Sequence, residues 1–163
     1  MRIRACSTTD HGAIVALSLR AWAPVFASVD GVLGEALSKL LHGEDWRVHQ
    51  AREVRETLDD ASQCVWVAEL AEQVVGFASA RIVDQPRLIG EITMLAVDPT
   101  AQRRGIGKAL TDHASHWLRD QGMLVAIVET GGDAGHAPAR RVYEQAGFRV
   151  LPISRYFREL PPS

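Results

Sequence analysis

The sequence has few of the residues that mark disulfide-bonded or nucleic-acid-binding proteins. Its 163 residues include two cysteines, Cys6 and Cys64, and neither belongs to a Cys-x-x-Cys pair. Two cysteines are too few for a disulfide framework, so both are expected to be reduced, half-buried strand residues. The net charge is −2 at pH 7, which excludes a general basic surface for a nucleic-acid backbone. Any phosphate-bearing ligand therefore needs a local site.

Long apolar segments and repeats are also scarce. The N-terminal residues Met-Arg-Ile-Arg lead into a polar stretch and lack the apolar core of a secretory signal. No apolar run approaches the roughly 20 residues that span a bilayer. Hydrophobic residues make up 47% of the chain and charged residues 23%, as in ordinary globular proteins. We expect a cytoplasmic protein with no membrane partner and one continuous domain over residues 1–163, which is the usual size of a single domain.

Hydrophobic alternation and helical spacing predict an α/β (α+β) domain built on a sheet of mixed direction. A tight turn at residues 71–73 indicates an antiparallel hairpin, and Pro99 ends the strand before it because proline cannot donate to a ladder. Gly122 and Gly147 are expected to end two helices, with Phe148 packed on the second. The predicted strands are 2–6, 64–70, 74–82, 88–97, 124–128, 148–151 and 154–159. A first helix is predicted after an N-cap at residues 8–10, followed by an irregular helical region at 22–60 and by helices at 104–121 and 136–146.

The most informative segment is residues 95–110, in which an apolar strand stops at a proline turn and a basic, glycine-bearing loop opens into an amphipathic helix. The first N–H groups of a helix lack internal partners and its N-terminus carries about +0.5 elementary charge, so such an end binds phosphate. Gly105 and Gly107 permit close approach of the backbone. Local positive charge comes from Arg103, Arg104 and Lys108. Alone, the pattern also fits a surface turn with charged flanks.

Two other phosphate-binding motifs fit this segment less well. A P-loop needs Gly-x4-Gly-Lys-Ser/Thr, but Gln102 stands at the first glycine position and Ala109 follows the Gly-Lys pair. A dinucleotide fingerprint needs a third glycine where this chain has Leu110. A nucleotide- or phosphate-binding domain that uses loop 102–108 differently stays open as an alternative.

The loop and a second segment downstream together resemble the GNAT superfamily of N-acetyltransferases. Residues 102–107, Gln-Arg-Arg-Gly-Ile-Gly, are similar to the Q/R-x-x-G-x-G/A signature of that family. Residues 139–148, Ala-Arg-Arg-Val-Tyr-Glu-Gln-Ala-Gly-Phe, resemble its A-x-x-L-Y-E-K-x-G-F segment. The pair is more specific than either motif alone, and the resemblance covers residues 64 to 150.

This resemblance implies both the fold and the co-substrate, acetyl-coenzyme A. The implied fold is a mostly antiparallel sheet of six or seven strands with about four helices, in which the parallel strands 91–97 and 124–130 splay apart around the pantetheine arm. Residues 1–63 would form an N-terminal strand and acceptor-side helices, 64–151 the coenzyme-binding core, and 152–163 a closing strand and tail. The implied coenzyme contacts are Leu95, Ala96, Val97, Gln102, Arg103, Arg104, Gly105, Ile106, Gly107, Lys108, His136 and Ala139.

Three histidines lie in or near the two motifs. Seven residues before Tyr143, where the family commonly has a coenzyme-contacting asparagine, this chain has His136. Histidine also donates hydrogen bonds, so we expect the contact to persist. His113 and His116 are three residues apart on one predicted helix. No cysteine pair or acidic partner completes a metal-ligand set with them, so no metal is expected.

Two side chains are candidates for proton transfer. Glu91 lies eleven residues before Gln102, where some GNAT members have a catalytic glutamate, and we predict that it acts as the general base directly or through water. Tyr143 is the predicted general acid for the leaving thiolate, because a thiol pKa near 8.5 demands only modest assistance. A backbone N–H near Leu95 or Ala96 is the expected oxyanion donor.

The predicted reaction is transfer of an acetyl group to a primary amine of a small molecule or peptide, directly and through a ternary complex. Glu129 and Thr130 either contact the acceptor or only close their strand. A non-catalytic acyl-coenzyme A sensor of the same fold is the main alternative. An edge strand near the C-terminus would allow a homodimer. Candidates for the acceptor pocket are the aromatic residues Trp22, Phe26 and Trp46 and the acids Asp30, Glu35, Glu44, Asp45, Asp59 and Asp60.

Overall fold

The computed structural model describes residues 1–160. Within these residues the strands are β1 (Arg2–Ala5), β2 (Cys64–Leu70), β3 (Gln73–Asp84), β4 (Ile89–Val97) and β5 (Val125–Val128). The helices are α1 (His11–Leu33), α2 (Glu35–His42), α3 (Trp46–Asp59), α4 (Ile106–Asp120) and α5 (Ala137–Gln145). Short 3-10 turns precede α1 and α5 and follow β4.

The strands form one sheet in the order β1-β2-β3-β4-β5, antiparallel except for the parallel pair β4 and β5. This topology confirms the predicted sheet of mixed direction. The predicted hairpin is formed by β2 and β3, and its tight turn holds Ala71 and Glu72 at φ values of 48° and 65°. Positive φ at both central residues suits the twist of a two-residue hairpin.

Helices cover both faces of the sheet. On one face the fully buried Phe77 packs with Ile14 and Leu17 of α1. On the other face α4 lies directly on β4, because a Cβ at Gly90 would stand only 2.2 Å from Cδ2 of Leu118. Burial of apolar side chains on both faces stabilises the sheet by about 25 cal/mol per Å² of apolar surface removed from water. The same packing determines which side chains of β4 can face a site.

The ends of α4 and α5 follow the predicted glycine pattern. Gly122 and Gly147 have φ values of 85° and 89°. The N–H of Phe148 donates to the carbonyl of Tyr143 and the N–H of Gly147 donates to that of Glu144, both at 3.0 Å. These are the two bonds of a Schellman motif. The rings of Tyr143 and Phe148 lie 6.1 Å apart, which confirms the predicted contact and anchors Tyr143 at the end of α5.

The first helix is longer and more regular than the sequence pattern indicated. Instead of an irregular region from residue 22 onwards, α1 continues to Leu33 and passes through Pro24. A proline inside a helix removes one backbone hydrogen bond. Burial of Ile14, Leu17 and Phe26 in the core holds the helix together on both sides of that position.

The apolar character of this helix also corrects an expectation. By length and composition, Thr8–Leu33 could cross a membrane, with a mean hydropathy of 1.5 in its most apolar window. The expectation that no apolar run approaches that length was therefore wrong. In this fold 22% of that window is buried, and the buried helix of a globular protein passes the same test of length and composition.

The two closing strands predicted near the C-terminus are not formed. Residues 148–160 contain no strand, so the sheet that the structure describes has five strands rather than six or seven. Pro152 interrupts the segment and cannot donate to a ladder, and the outer edge of β5 has no strand beside it among residues 1–160. The most exposed apolar side chains here, at 71% to 90%, are Val150, Leu151, Ile153, Tyr156 and Leu160.

An ion pair near the N-terminus gives a prediction about acid stability. Arg4 binds both carboxylate oxygens of the buried Asp10, at 2.7 and 2.9 Å. The Arg4 hydrogen bonds hold the pKa of Asp10 well below its usual range. A lowered folded-state pKa adds stability above the unfolded value of about 3.9, and this stability is lost as the pH falls towards the folded value.

Asp10→Asn should therefore lower the free energy of unfolding at pH 7 by about 1 to 2 kcal/mol, at the low end for bonds to charged groups because Arg4 is partly exposed. The difference from the wild type should shrink below pH ~4. Urea unfolding at pH 7 and at successively lower pH measures both effects. A difference that stays constant with pH would contradict the assigned ionic role.

Candidate active site

The parallel pair of strands ends where β4 bends. The last residues paired between β4 and β5 are Ile92 and Val128. At the next residue β4 has a β-bulge, because Met94 pairs with Ser79 of β3 and leaves Thr93 outside the register. Bulges bend a strand and increase its twist. The structure confirms that β4 and β5 are parallel. It does not confirm the predicted splaying and shows only that their pairing ends at Ile92 and Val128.

A cavity of about 610 Å³ opens at this point. Its walls come from residues 93–97 of β4, the loop and first turn of α4, the residues after β5, and parts of α1 and α5. Among the predicted site residues, those that line it are Leu95, Ala96, Val97, Gln102, Arg103, Gly105, Ile106, Gly107, Lys108, His136, Ala139 and Tyr143. Arg104 and Glu91 are not among the lining residues.

The end of β4 presents a backbone edge to the cavity. The N–H of Asp98 donates to the carbonyl of Val75 on β3 at 2.8 Å. Because backbone groups alternate in direction along a strand, Leu95 and Val97 face away from β3. The side-chain amide of Gln102 donates to the Val97 carbonyl at 3.1 Å. The backbone groups of Leu95 therefore stand free of β3, on the side where β5 has ended.

The first turn of α4 has backbone N–H groups that can donate hydrogen bonds to a group outside the helix. Gly105 is its N-cap residue, with φ at 78°, and among residues 1–160 no side chain caps this end. Arg103 also adopts a positive φ, 59°, a conformation that costs a non-glycine residue free energy and is concentrated at functional sites. The N–H groups of Ile106, Gly107 and Lys108 are thus left to a ligand.

The basic side chains of the loop differ in their surroundings. Lys108 donates to Asp112 one turn later at 2.7 Å, so part of its charge is compensated on α4. Neither Arg103 nor Arg104 has an ion-pair partner among the residues that the structure describes. Arg103 lines the cavity and is the better placed of the two arginines to meet an anion there.

Gly107 lies where α4 crosses α5. A Cβ built on it would stand 3.3 Å from Cγ2 of Val142 and 3.7 Å from that of Val97. The missing side chain therefore allows close packing of the two helices as well as approach to the cavity. The sequence pattern indicated only that Gly107 permits close approach of the backbone to a ligand, and its contact with Val142 adds a packing role.

Tyr143 combines a buried ring with a position in the cavity wall. It is 8% exposed and lines the cavity. Burial raises the pKa of Tyr143 to about 12, so its hydroxyl stays protonated at neutral pH. A neutral phenol that faces a site donates a hydrogen bond or a proton and does not act as a base.

Glu91 lies apart from these groups. Its carboxylate accepts from Arg81 of β3 at 3.0 and 3.2 Å, and Arg81 and Glu91 are directly opposite each other in the ladder. Glu91 therefore has a cationic partner and no place in the cavity wall. The acidic residue that does line the cavity is Glu129, at the carboxyl end of β5, with Thr130 beside it.

The loop after β5 is tied to α1 by a compact polar network. The hydroxyl of Ser28 donates to Asp133 at 2.6 Å and accepts from the N–H of Gly135 at 2.9 Å. Asp133 also binds Nδ1 of His136. The approach is close, because a Cβ at Gly135 would stand 2.7 Å from that of Ser28, and one at Gly131 would overlap His136.

The other histidines lie elsewhere. His113 packs edge-on against Trp66, with ring centroids 5.3 Å apart, and burial lowers its pKa. His116 is exposed on α4. Within residues 1–160 no group of three or more His, Cys, Asp or Glu side chains is placed to hold a metal ion.

The aromatic residues predicted for the acceptor side separate into two places. Trp22 lines the main cavity from α1. Phe26 and Trp46 instead stack on each other, with centroids 4.4 Å apart. Trp46 lines a second, smaller cavity of about 330 Å³ together with Asp30, Glu35, Ser38, Lys39, His42, Gly43 and Glu44.

The sequence analysis missed Asp133 and Ser28. Asp133 stands three residues before His136 in a glycine-rich segment, and that spacing could have drawn attention to it. Ser28 is 105 residues away from Asp133, so no local pattern points to it. Its contact with Asp133 depends on α1 continuing through Pro24, which brings Ser28 against the loop after β5.

Comparison with known proteins agrees with this geometry. Residues 34–148, more than half of the chain, match the Acetyltransferase (GNAT) family. The chain belongs to this family. The matched region runs from the start of α2 to just beyond α5, so it includes the β4 edge, the first turn of α4 and Tyr143.

Several curated proteins are similar to this chain over part of their length. Mycothiol acetyltransferase of Thermomonospora curvata is 32% identical over 113 residues, which are 69% of this chain and 36% of that protein. Human N-acetyltransferase 8 is 37% identical over 95 residues, which are 56% of this chain and 41% of that protein. The chain thus spans about two fifths or less of the length of these relatives. Both of these relatives are acetyltransferases by name.

Solved structures share the fold over nearly the whole chain. An aminoglycoside acetyltransferase from an uncultured soil metagenomic sample, in complex with trehalose, has a TM-score of 0.64 at 18% identity and covers 98% of this chain and 96% of its own. PaiA N-acetyltransferase of Thermoplasma acidophilum, in complex with coenzyme A, has a TM-score of 0.68 at 17% identity and covers 94% and 92%. At such identities the likeness concerns the fold alone.

Proposed function

We propose that this protein transfers the acetyl group of acetyl-coenzyme A to a primary amine of a small molecule or peptide, directly and through a ternary complex. The observation that supports this most is one shared cavity. It joins the free edge of β4, the first turn of α4 and the hydroxyl-bearing residue Tyr143. Membership of the GNAT family indicates acetyl-coenzyme A as the co-substrate.

The chain offers matching groups for each part of the coenzyme. The free amides of residues 106–108 suit its pyrophosphate, and Arg103 adds positive charge from the cavity wall. The exposed backbone of Leu95 suits the pantetheine amides, which pair as a strand would. His136 and Ala139 line the same cavity. Gln102 acts indirectly here, because its amide is bonded to Val97.

Acyl transfer to an amine needs a proton acceptor, an oxyanion donor and help for the leaving thiolate. Tyr143 is the proposed proton donor to the thiolate, and the backbone N–H of Leu95 is the proposed oxyanion donor. Glu91 stays a prediction as the base. Its pairing with Arg81 means that it would have to act through water, from outside the cavity wall.

Direct transfer is favoured over a covalent acyl-enzyme. The only thiols of the chain are Cys6 and Cys64, and neither lines the cavity. Burial raises the pKa of Cys6 to about 11 and raises that of Cys64 as well. A thiol with a raised pKa is a poor nucleophile at neutral pH.

The experiment that tests this function is release of coenzyme A thiol from acetyl-coenzyme A in the presence of an amine panel. The relatives' names suggest including aminoglycosides and thiol-bearing amines, together with peptides and small polyamines. We expect release that requires both substrates, with initial-velocity lines that intersect as a ternary complex demands. Coenzyme binding without turnover on any amine would favour the non-catalytic sensor instead.

A homodimer is a further part of this proposal. It is supported by the free outer edge of β5 and by the exposed apolar side chains of residues 148–160. Unpaired strand edges and exposed apolar patches are common interaction surfaces. Light scattering after size exclusion should give twice the chain mass of 17.9 kDa, whereas a monomer at all concentrations would contradict the proposal.

A further inference from the structure

Hydrogen bonds connect Ser28 on α1 to Asp133, and Asp133 to His136 at the cavity. Oδ2 of Asp133 accepts from the Ser28 hydroxyl at 2.6 Å and from the N–H of Gly135 at 3.0 Å. Oδ1 faces Nδ1 of His136. The two side chains of the Asp–His pair are only 14% and 21% exposed. His136 alone among the three lines the cavity.

This arrangement fixes the tautomer of His136. Although burial raises it, hydrogen bonds from Ser28 and His136 leave the pKa of Asp133 below its ordinary value. Asp133 is therefore a carboxylate that can only accept. The hydrogen in its bond to His136 must then be on Nδ1, and Nε2 of the neutral ring carries a free lone pair. An imidazole held in this way accepts a proton at Nε2 and does not donate one.

We propose that His136 is the general base that takes the proton from the acceptor amine, with Asp133 and Ser28 as positioning residues; this rests on the function proposed above. Nε2 accepts one proton as the amine nitrogen bonds to the acetyl carbon. The carbon–sulfur bond breaks, and the thiolate takes the proton of the Tyr143 hydroxyl. His136 then releases its proton to solvent and Tyr143 is reprotonated from solvent, which balances the reaction.

Two observations favour His136 as the base over the two earlier predictions, in which His136 contacts the coenzyme and Glu91 is the base. As a substitute for the family's asparagine it would donate to the coenzyme, yet neutral His136 has no hydrogen on Nε2 while Nδ1 bonds to Asp133. As the base, Glu91 would need to reach the cavity from its pair with Arg81. His136 already lines the wall that also holds Tyr143.

The groups around His136 come from α1, from α5 and from the loop that precedes α5. The facing part of α1, around Val25 and Ser28, is uncharged. The carboxylate of Asp133 accepts from Nδ1 of the ring. On α5, Arg140 donates to the backbone carbonyls of Gly131 and Asp133 at 2.6 and 2.8 Å and so braces the loop. The other charged groups that line the cavity are Glu129, Arg141, Arg103 and Lys108.

The pKa of the amine also decides which acceptors react. An α-amino group has a pKa of about 7.7 to 8.0, whereas a lysine-type amine has one of about 10.4. At neutral pH a far larger fraction of the former is the neutral amine that can attack the acetyl carbon. The inferred acceptor class is therefore an amine of near-neutral pKa, such as an α-amino group or an amine next to electron-withdrawing substituents.

The test is the pH dependence of kcat/KM for the amine in the wild type, His136→Asn and Asp133→Asn. His136→Asn keeps the amide donor typical of the family but removes the base. We expect kcat/KM to fall by about 10² to 10³-fold, with the acid limb of the pH profile lost and the Kd for acetyl-coenzyme A nearly unchanged. Asp133→Asn should also lower kcat/KM, because an amide can hold the other tautomer.

The matched control is His116→Asn, which replaces an exposed histidine of α4 outside the cavity and should change nothing. Retention of both rate and acid limb in His136→Asn would overturn the proposal and leave only a coenzyme contact. An acid limb that persists in His136→Asn but disappears in Glu91→Gln would assign the base to Glu91. Wild-type protein that binds coenzyme but acetylates no amine would overturn the proposed function itself, before any variant is compared.

Discussion

Tyr143→Phe should lower kcat by about 10²-fold, at the lower end for acid–base catalysis because a thiolate is already a good leaving group. The Kd for acetyl-coenzyme A should stay nearly the same. Phenylalanine keeps the buried ring and its packing on Phe148, so only the hydroxyl is removed. Because burial raises the pKa of Tyr143 to about 12, the wild-type rate should not fall through loss of this proton up to about pH 10.

The chain provides a matched control for this variant. Its only other tyrosine is Tyr156, which is 90% exposed in the segment after α5. Tyr156→Phe should leave kcat unchanged. Steady-state kinetics with saturating acetyl-coenzyme A, together with calorimetric titration of the coenzyme, measures both quantities. Full turnover in Tyr143→Phe would remove the acid role.

Gly107→Val should weaken binding of acetyl-coenzyme A by about 10²-fold or more, because hydrogen bonds to a charged phosphate contribute about 1.5 to 3 kcal/mol each. It should also destabilise the fold by about 1 to 3 kcal/mol through overpacking, since its Cβ would meet Val142 at 3.3 Å. The two effects have different origins and need to be separated. Titration calorimetry and urea unfolding measure them on the same protein.

A double variant separates packing from ligand binding. Val142→Ala removes the side chain that the new valine would strike, so Gly107→Val with Val142→Ala should regain much of the lost stability. Coenzyme affinity should stay low, because the obstruction at the first turn of α4 persists. Recovery of affinity along with stability would show that Gly107 acts only through the contact of α4 with α5.

Local chemistry is what the sequence predicted well. The β2–β3 hairpin, the Schellman ends at Gly122 and Gly147 and the loop before α4 each depend on a few consecutive residues. In the structure, residues of the loop and Tyr143 line the same cavity.

Long-range pairing is what the sequence could not supply. The partner of Glu91 is Arg81, and that pairing depends on a register set by the bulge at Thr93. The link between Ser28 and Asp133 depends on α1 staying helical through a proline. Alternation of apolar residues after residue 148 suggested strands. Alternation alone does not provide a neighbouring strand, and Pro152 removes one donor from that segment.

The most direct test of the central claim is a thermal-shift titration with acetyl-coenzyme A, with desulfo-coenzyme A, ATP and NAD as comparators. A ligand at one hundred times its Kd adds about 2.7 kcal/mol of stability. We expect both coenzyme A derivatives to stabilise the wild type and Tyr143→Phe alike, and neither to stabilise Gly107→Val at the same concentration. No shift with either coenzyme, or a shift with ATP or NAD alone, would contradict the assignment of the cavity as an acetyl-coenzyme A site.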